Sequence, residues 1–166
     1  MKVLRALIVV AILAVAAFVG YRLFSPPAQT AGTLAVYYVK PDGDTLVKWD
    51  VSLSPKASDP TSVAFYATAQ AVAGPAPDTE AVRFPAGTIV RSAHVTGDTA
   101  TVDLGGAVTT PADGSFAESG EFKALVWTLT ALPGISRVQV EVNGARVATL
   151  PGGHFEIDEP LSRHSW

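Results

Sequence analysis

Two hydrophobic periods alternate between Thr33 and Leu150, and that alternation limits what the chain can fold into. Leu34, Val36 and Tyr38 interleave with Ala35, Tyr37 and Val39, a β-branched and aromatic run suited to a strand buried on both faces. Pro41-Asp42-Gly43-Asp44 supplies a turn. Val47, Trp49, Val51 and Leu53 then alternate with Lys48, Asp50 and Ser52, which predicts a half-buried strand with Trp49 on its inner face. The period changes at Asp59-Pro60. Asp accepts bonds from free helix amides and Pro is favoured at the first helical position, so a helix is expected from here to Ala73, stopped by Gly74-Pro75.

The same order then repeats. After a proline-rich loop from Pro75 to Gly87, Ile89, Arg91, Ala93 and Val95 share one strand face. Gly97-Asp98 turns the chain into Ala100, Val102 and Leu104, with Thr99, Thr101 and Asp103 outward. Ser115 and Glu118 have capping-box spacing. Phe122, Leu125, Val126 and Leu129 form the stripe of a helix from Ser115 to Leu132, ended by Pro133-Gly134 and exposing Glu121 and Lys123. Val138, Val140 and Val142 point inward on the last clear strand, with Arg137, Gln139 and Glu141 outward. Asn143-Gly144 is a strong hairpin signal, expected to return the chain from Ala145 to Leu150. Hairpins alternating with helices predict an α+β fold, with two helices packed on one face of a largely antiparallel or mixed sheet.

The segment before this pattern differs in kind. Lys2 and Arg5 precede Ala6–Tyr21, a run without charge. A bilayer core takes about 20 apolar residues. Leu4–Phe24 meets that length if Arg5 and Arg22 extend to the headgroups. The alternative is a cleavable signal peptide, whose apolar core is about 7–15 residues. The expected organisation is a membrane anchor over residues 1–24, a proline-containing linker over 25–32 and one domain with a C-terminal tail over 33–166. The expected location is single-pass membrane, N-terminus cytoplasmic, domain extracytoplasmic.

The sequence holds no cysteine, so an exported domain of this size relies on packing alone, without disulfides, thiolate metal ligands or a lipidation site. Without Lys2, Arg5 and Arg22, nine basic residues stand against fifteen acidic ones, a net charge of −6. That balance argues against nucleic acid as a partner.

Side chains able to do chemistry are scattered. His94, His154 and His164 have no short metal-binding spacing, and no nucleophile-elbow pattern occurs. Asp42-Gly43-Asp44 lacks the further ligands of a calcium loop. Gly105-Gly106 and Gly152-Gly153 lack the Lys-Ser/Thr of a phosphate loop. Asp98 belongs to a turn, Asp103 to an outward strand position, Glu118 to a cap and Glu121 to an exposed helix start. No catalytic, cofactor-binding or metal-ligating residue is assigned. Trp127, off the main helical stripe, is the one candidate contact for a partner protein. Trp166 ends the chain, either docked or free.

Four stretches carry a family resemblance: AVAGP at the end of the first helix, FPAGTIVRSAHVTGDTATVDLG, EFKALVWTLTALPGISRVQVEVNG and the closing GGHFEIDEPLSR. In this order and spacing, from Thr33 to Arg163, they resemble the GerMN, or sporulation and spore germination, domain. The resemblance implies an α+β fold similar to the ring-building domains of secretion and sporulation machines, and a non-catalytic role in the bacterial cell envelope. Many such domains belong to lipoproteins or occur in two copies. This chain departs on both counts, having no lipidation cysteine and one copy.

The function expected is therefore a non-enzymatic envelope module. It assembles with itself or with another envelope protein, has no cofactor and is linked to sporulation or germination. The alternative is a module that recognises peptidoglycan or another envelope glycan.

Overall fold

The computed structural model describes residues 32–54, 57–110 and 115–166. Ala31–Trp166 form one compact unit. Strand β1, Thr33–Val39, pairs antiparallel with β2, Leu46–Ser52, as a separate two-stranded sheet. Helix α1 follows over Pro60–Ala73, then β3 over Thr88–Thr96 and β4 over Thr99–Gly106. Helix α2 spans Ser115–Leu129, and β5 spans Arg137–Val142. The second sheet has the order β3-β4-β5, with β3–β4 antiparallel and β4–β5 parallel. The protein is thus α+β, with two helices, an antiparallel sheet and a mixed one.

Local chemistry explains the helix ends. Asp59 caps α1: its carboxylate accepts from the Thr61 and Ser62 amides, each at 3.0 Å. The Ser62 hydroxyl accepts in return from the Asp59 amide at 3.2 Å, which completes a capping box. Gly74 ends the helix at φ 74°, in the left-handed region that glycine enters without steric cost. The loop after it is pinned by Arg83, whose guanidinium donates to the carbonyls of Pro75, Ala76 and Thr79 at 2.7–2.9 Å.

Helix α2 is the middle of the molecule. Phe122, Leu125, Val126 and Leu129 are fully buried, as the stripe predicts. Cover extends beyond the stripe, since Glu118, Glu121, Ala124 and Thr128 are also buried, while Phe116 at its start is exposed. The helix runs along β1, packs against α1 and touches β5, while α1 covers β3. The parallel return from β4 through α2 to β5 is a βαβ crossover.

Several expectations are corrected. Trp49 is 39% exposed, not buried, because β2 is an edge strand and its ring reaches past the core. Asp103 is buried rather than outward: Arg91 Nε pairs with it at 2.9 Å and the Gly144 amide donates to it at 2.8 Å. A bulge between Val90 and Ser92 breaks the β3 alternation, and Ile89 is 51% exposed instead of facing inward. Gln139 is fully buried because the C-terminal tail covers its face of β5, and its amide donates to the Val140 and Ile157 carbonyls at 3.0 and 3.2 Å.

The turn at Asn143-Gly144 forms, with φ 53° and 82°. The strand expected from Ala145 to Leu150 does not: only Val142 and Ala145 bridge. Leu161 in the tail exchanges two backbone hydrogen bonds of 2.8 Å with Val138, so a later segment lies along that edge of β5.

The expected single-pass location is also corrected. Among the described residues no helix is long and apolar enough to cross a membrane. Leu4–Phe24, on which that expectation rested, and the linker up to residue 31 lie outside the described residues.

The burial of α2 predicts a contrast. Leu125→Ala removes a fully buried side chain and should cost about 2–5 kcal/mol, out of a total stability of roughly 5–15 kcal/mol. Lys123→Ala, half-exposed, should cost less than about 0.5 kcal/mol. Chemical denaturation of both variants checks this, and equal midpoints would show that α2 is not the packing centre.

Candidate interaction surface

The C-terminal tail is the least regular part of the fold and organises the densest aromatic contact. Phe84 meets Phe122 edge-on with ring centroids 6.0 Å apart. Phe122 stacks on Phe155 at 5.9 Å, and Phe155 stacks on Trp166 at 5.3 Å. Trp166 then meets Trp127 edge-on at 5.5 Å. The ladder runs from the fully buried Phe122 to the surface, where Trp166 is 36% exposed. Trp166 is docked rather than free, since its indole N–H donates to Ser119 Oγ at 2.8 Å. Arg163 closes the same edge: its guanidinium lies 5.7 Å from the Trp127 ring centre, and its Nε donates to Thr130 Oγ1 at 2.8 Å. Trp127 is therefore a half-buried margin residue whose neighbours on the tail are Trp166 and Arg163.

Beside the ladder, two carboxyl groups are buried on adjacent turns of α2. Glu118, 3% exposed, accepts the His154 amide at 2.9 Å. Its carboxylate is therefore committed to the tail, which corrects the capping role read from its spacing. Gly153 allows this approach, because a Cβ there would collide with Glu118 Oε1. Glu121, also 3% exposed, is not the outward residue its place in the stripe suggested. Burial, reinforced by the neighbouring Glu118 charge, pushes its carboxyl from an ordinary value of 4.5 up to about 8. Glu118 Oε1 and Glu121 Oε2 have no hydrogen-bond partner among the described residues.

The histidines remain apart. His94 is exposed on β3, and the His154 and His164 side chains are exposed on the tail. Among the described residues no three His, Asp or Glu side chains are grouped to hold a metal ion. Asp98 does hold a turn, but it also ties β4 to β5. It accepts from Arg137 Nη2 at 2.7 Å and from Ser136 Oγ at 2.5 Å, and these partners hold its carboxyl well below the usual carboxylate range.

The surface feature that sequence periodicity missed lies between α1 and β3. Phe65 is 40% exposed and Ile89 is 51% exposed. Both line an open groove of about 560 Å³ that also takes in Val72, Phe84 and Pro85. The residue types were visible in the sequence, but the β3 bulge that turns Ile89 outward was not. A second open groove of about 500 Å³ is lined by Thr130, Ile135, Ser136, Arg137, Ser162, Arg163 and His164.

This arrangement of two helices, a two-stranded sheet and a mixed three-stranded sheet defines a GerMN-type domain. The chain belongs to the sporulation and spore germination family, Germane, whose family model matches residues 35–148. The first GerMN domain of the sporulation protein GerM from Bacillus subtilis is 22% identical, with 80% of this chain and 98% of that one covered at a TM-score of 0.61. The tandem GerMN domains of the same protein match at 22% identity and a TM-score of 0.61, over 81% of this chain and 47% of theirs, so this chain spans about half of the tandem. A Clostridium perfringens chain described as a "putative lipoprotein" is 16% identical, with 85% of this chain and 93% of that one covered at a TM-score of 0.57. At these identities the structures share the fold. No curated protein matches the chain significantly.

The buried carboxyl pair predicts a pH dependence. The unfolded chain releases the Glu121 proton near pH 4.5, whereas the folded chain keeps it to about pH 8. Between those values the folded state binds more protons, so stability falls as pH rises. The stabilisation is complete below about pH 4.5, is lost progressively up to about pH 8 and is absent above it. Glu121→Gln should abolish this decline and melt higher than the parent at pH 8–9. Melting curves from pH 5 to 9 test it, and parallel slopes for parent and variant would refute the assignment.

Proposed function

We propose that the protein is a non-enzymatic interaction module of the bacterial envelope, linked to sporulation or germination, that assembles with other envelope proteins through its exposed apolar surface. The observation that carries this reading is the pairing of Phe65 and Ile89 across an open, largely apolar groove. Large exposed apolar side chains grouped on one surface favour protein contact, since burying them on a partner recovers hydrophobic free energy. Trp127, with one side on Trp166, is proposed as a further contact.

The alternative, recognition of peptidoglycan or another glycan, needs aromatic rings set beside polar groups in a cleft. The groove by Arg137 and Arg163 carries no Phe, Tyr or Trp among its lining residues, and Trp127 and Trp166 turn toward each other. Protein contact is therefore the better supported reading.

The experiment is site-specific photocrosslinking from positions 65 and 89 in intact envelopes, with exposed His94 as the control position. The expected result is one discrete protein adduct from 65 and 89 and none from 94. Ile89→Ala should weaken the adduct from position 65 and Phe65→Ala the adduct from position 89, each melting within a few degrees of the parent. Trp127→Ala should weaken the same capture, and undiminished capture removes Trp127 from the surface. Adducts with glycan alone would favour the alternative.

A further inference from the structure

The two sheets expose four outer edges, and three have partners among the described residues. On β1 the Tyr37 amide donates to Thr128 Oγ1 at 2.9 Å, and the Val39 carbonyl accepts from the Val82 amide at 2.8 Å. On β3 the Val95 amide donates to Thr61 Oγ1 at 3.3 Å. On β5 Val138 is bridged by Leu161. The fourth edge is β2, where the one such contact among the described residues is from the Tyr66 hydroxyl to the Ser52 carbonyl, at 3.0 Å.

Hairpin geometry fixes which groups of β2 face outward. The Lys40 amide donates to the Thr45 carbonyl and the Leu53 amide to the Gly32 carbonyl, at 2.9 and 2.8 Å. Pairs in phase with these two are the hydrogen-bonded ones: Tyr38 with Val47, Val36 with Trp49 and Leu34 with Val51. The main-chain groups of Leu46, Lys48, Asp50 and Ser52 therefore point to the open side.

In the strand sequence, Leu-Val-Lys-Trp-Asp-Val-Ser, two valines lie symmetrically about Trp49 and the residues flanking it carry opposite charges. Placed antiparallel to a second copy about a two-fold axis through Trp49, it sets Val47 opposite Val51, Lys48 opposite Asp50 and Trp49 opposite itself. Lys48 and Asp50 become the hydrogen-bonded pair, as their outward groups require. Trp49 falls at the closely spaced non-bonded pair, where side chains approach most. Sliding by two residues in either direction sets Lys48 against Lys48 or Asp50 against Asp50, and like charges directly opposite are unfavourable. Charge thus selects one register. The Lys48–Asp50 ion pair within the chain, 3.2 Å long and half-exposed, would be flanked by its own copy, and the exposed Trp49 ring would continue the apolar row of Val47 and Val51.

We propose that β2 is a homodimerisation edge, joining two copies through an antiparallel Trp49-centred pairing into one four-stranded sheet. This rests on the reading of the protein as an assembly module and names a second copy of the chain as one partner. It uses an edge separate from the Phe65–Ile89 groove.

The chain has no cysteine, which makes single-cysteine crosslinking specific. Residues at a non-bonded antiparallel pair have Cα atoms about 4.5 Å apart, within the roughly 4.4–6.8 Å a disulfide spans. Oxidation of the full-length Trp49→Cys chain should give a covalent dimer. Lys48→Cys alone should not, because its copies would lie about 8–9 Å apart. Mixed Lys48→Cys and Asp50→Cys chains should crosslink to each other. In sedimentation, Lys48→Glu should weaken association about tenfold or more with an unchanged melting temperature, and adding Asp50→Lys should restore it.

A monomeric parent with uncrosslinked Trp49→Cys overturns the proposal, as does a Lys48→Cys dimer as efficient as that of Trp49→Cys. Either result leaves capture from positions 65 and 89 to judge the wider function on its own.

Discussion

Thr128 uses one hydroxyl twice. It donates to the Ala124 carbonyl at 2.8 Å within α2 and accepts the Tyr37 amide at 2.9 Å from the edge of β1. That bridge fixes the constraint on which the rest depends: α2 must be covered on nearly every side. One face takes the stripe of Phe122, Leu125, Val126 and Leu129, while Ala124 and Thr128 are buried as well. A helix with an ordinary amphipathic stripe needs one covering layer. A helix covered on most sides needs several, and this chain recruits β1, α1, β5 and the tail. The two-stranded sheet gains its place in the fold this way, since an isolated hairpin is marginally stable in water.

The same constraint explains the acidic groups. Glu118 stands on α2 where the tail closes over it, Glu121 lies one turn further on, and neither reaches solvent freely. Glu118 gains the His154 amide, whereas Glu121 keeps its proton. An unpaired buried charge costs far more than a neutral carboxylic acid, so burial and the Glu118 charge both favour the protonated form. The tail thus contributes more than aromatic packing, because it converts a surface turn of helix into a low-dielectric junction.

How much of this was readable from the sequence depended on distance along the chain. The Asp59-Pro60 start of α1, its Gly74 stop, the stripe of α2 and the Asn143-Gly144 turn are local signals, and the structure contains each of them. The family resemblance carried by four ordered stretches reached the fold and the family. Non-local pairing was out of reach of periodicity. Gln139 and Glu141 alternate as outward residues do, yet the tail covers Gln139 from residues 157 and 158. Glu121 was read as outward from local spacing, yet it is buried in the fold. Trp49 erred in the opposite direction: its alternation with valines was read correctly, but alternation cannot tell a central strand from an edge. The exposed Phe65 and Ile89, and the aromatic ladder to Trp166, depend likewise on a bulge and on a tail without regular structure.

Edges are the remaining structural problem of a fold built from two small sheets. An open strand presents unpaired amides and carbonyls, and natural proteins cover it, shorten it or place charge on it. Here β1 is covered by α2 and the Val82 loop, β3 meets the start of α1, and β5 is bridged by Leu161. Strand β2 relies on Lys48 and Asp50 instead. Charges of one sign would repel any copy in every register. Two opposite charges flanking a central residue repel the shifted registers and attract in one. The pattern that guards the edge against promiscuous pairing therefore also specifies a single self-complementary pairing. The tryptophan at its centre packs edge-on against Tyr38 on one side and stays 39% exposed, so a second copy would cover what the edge leaves open.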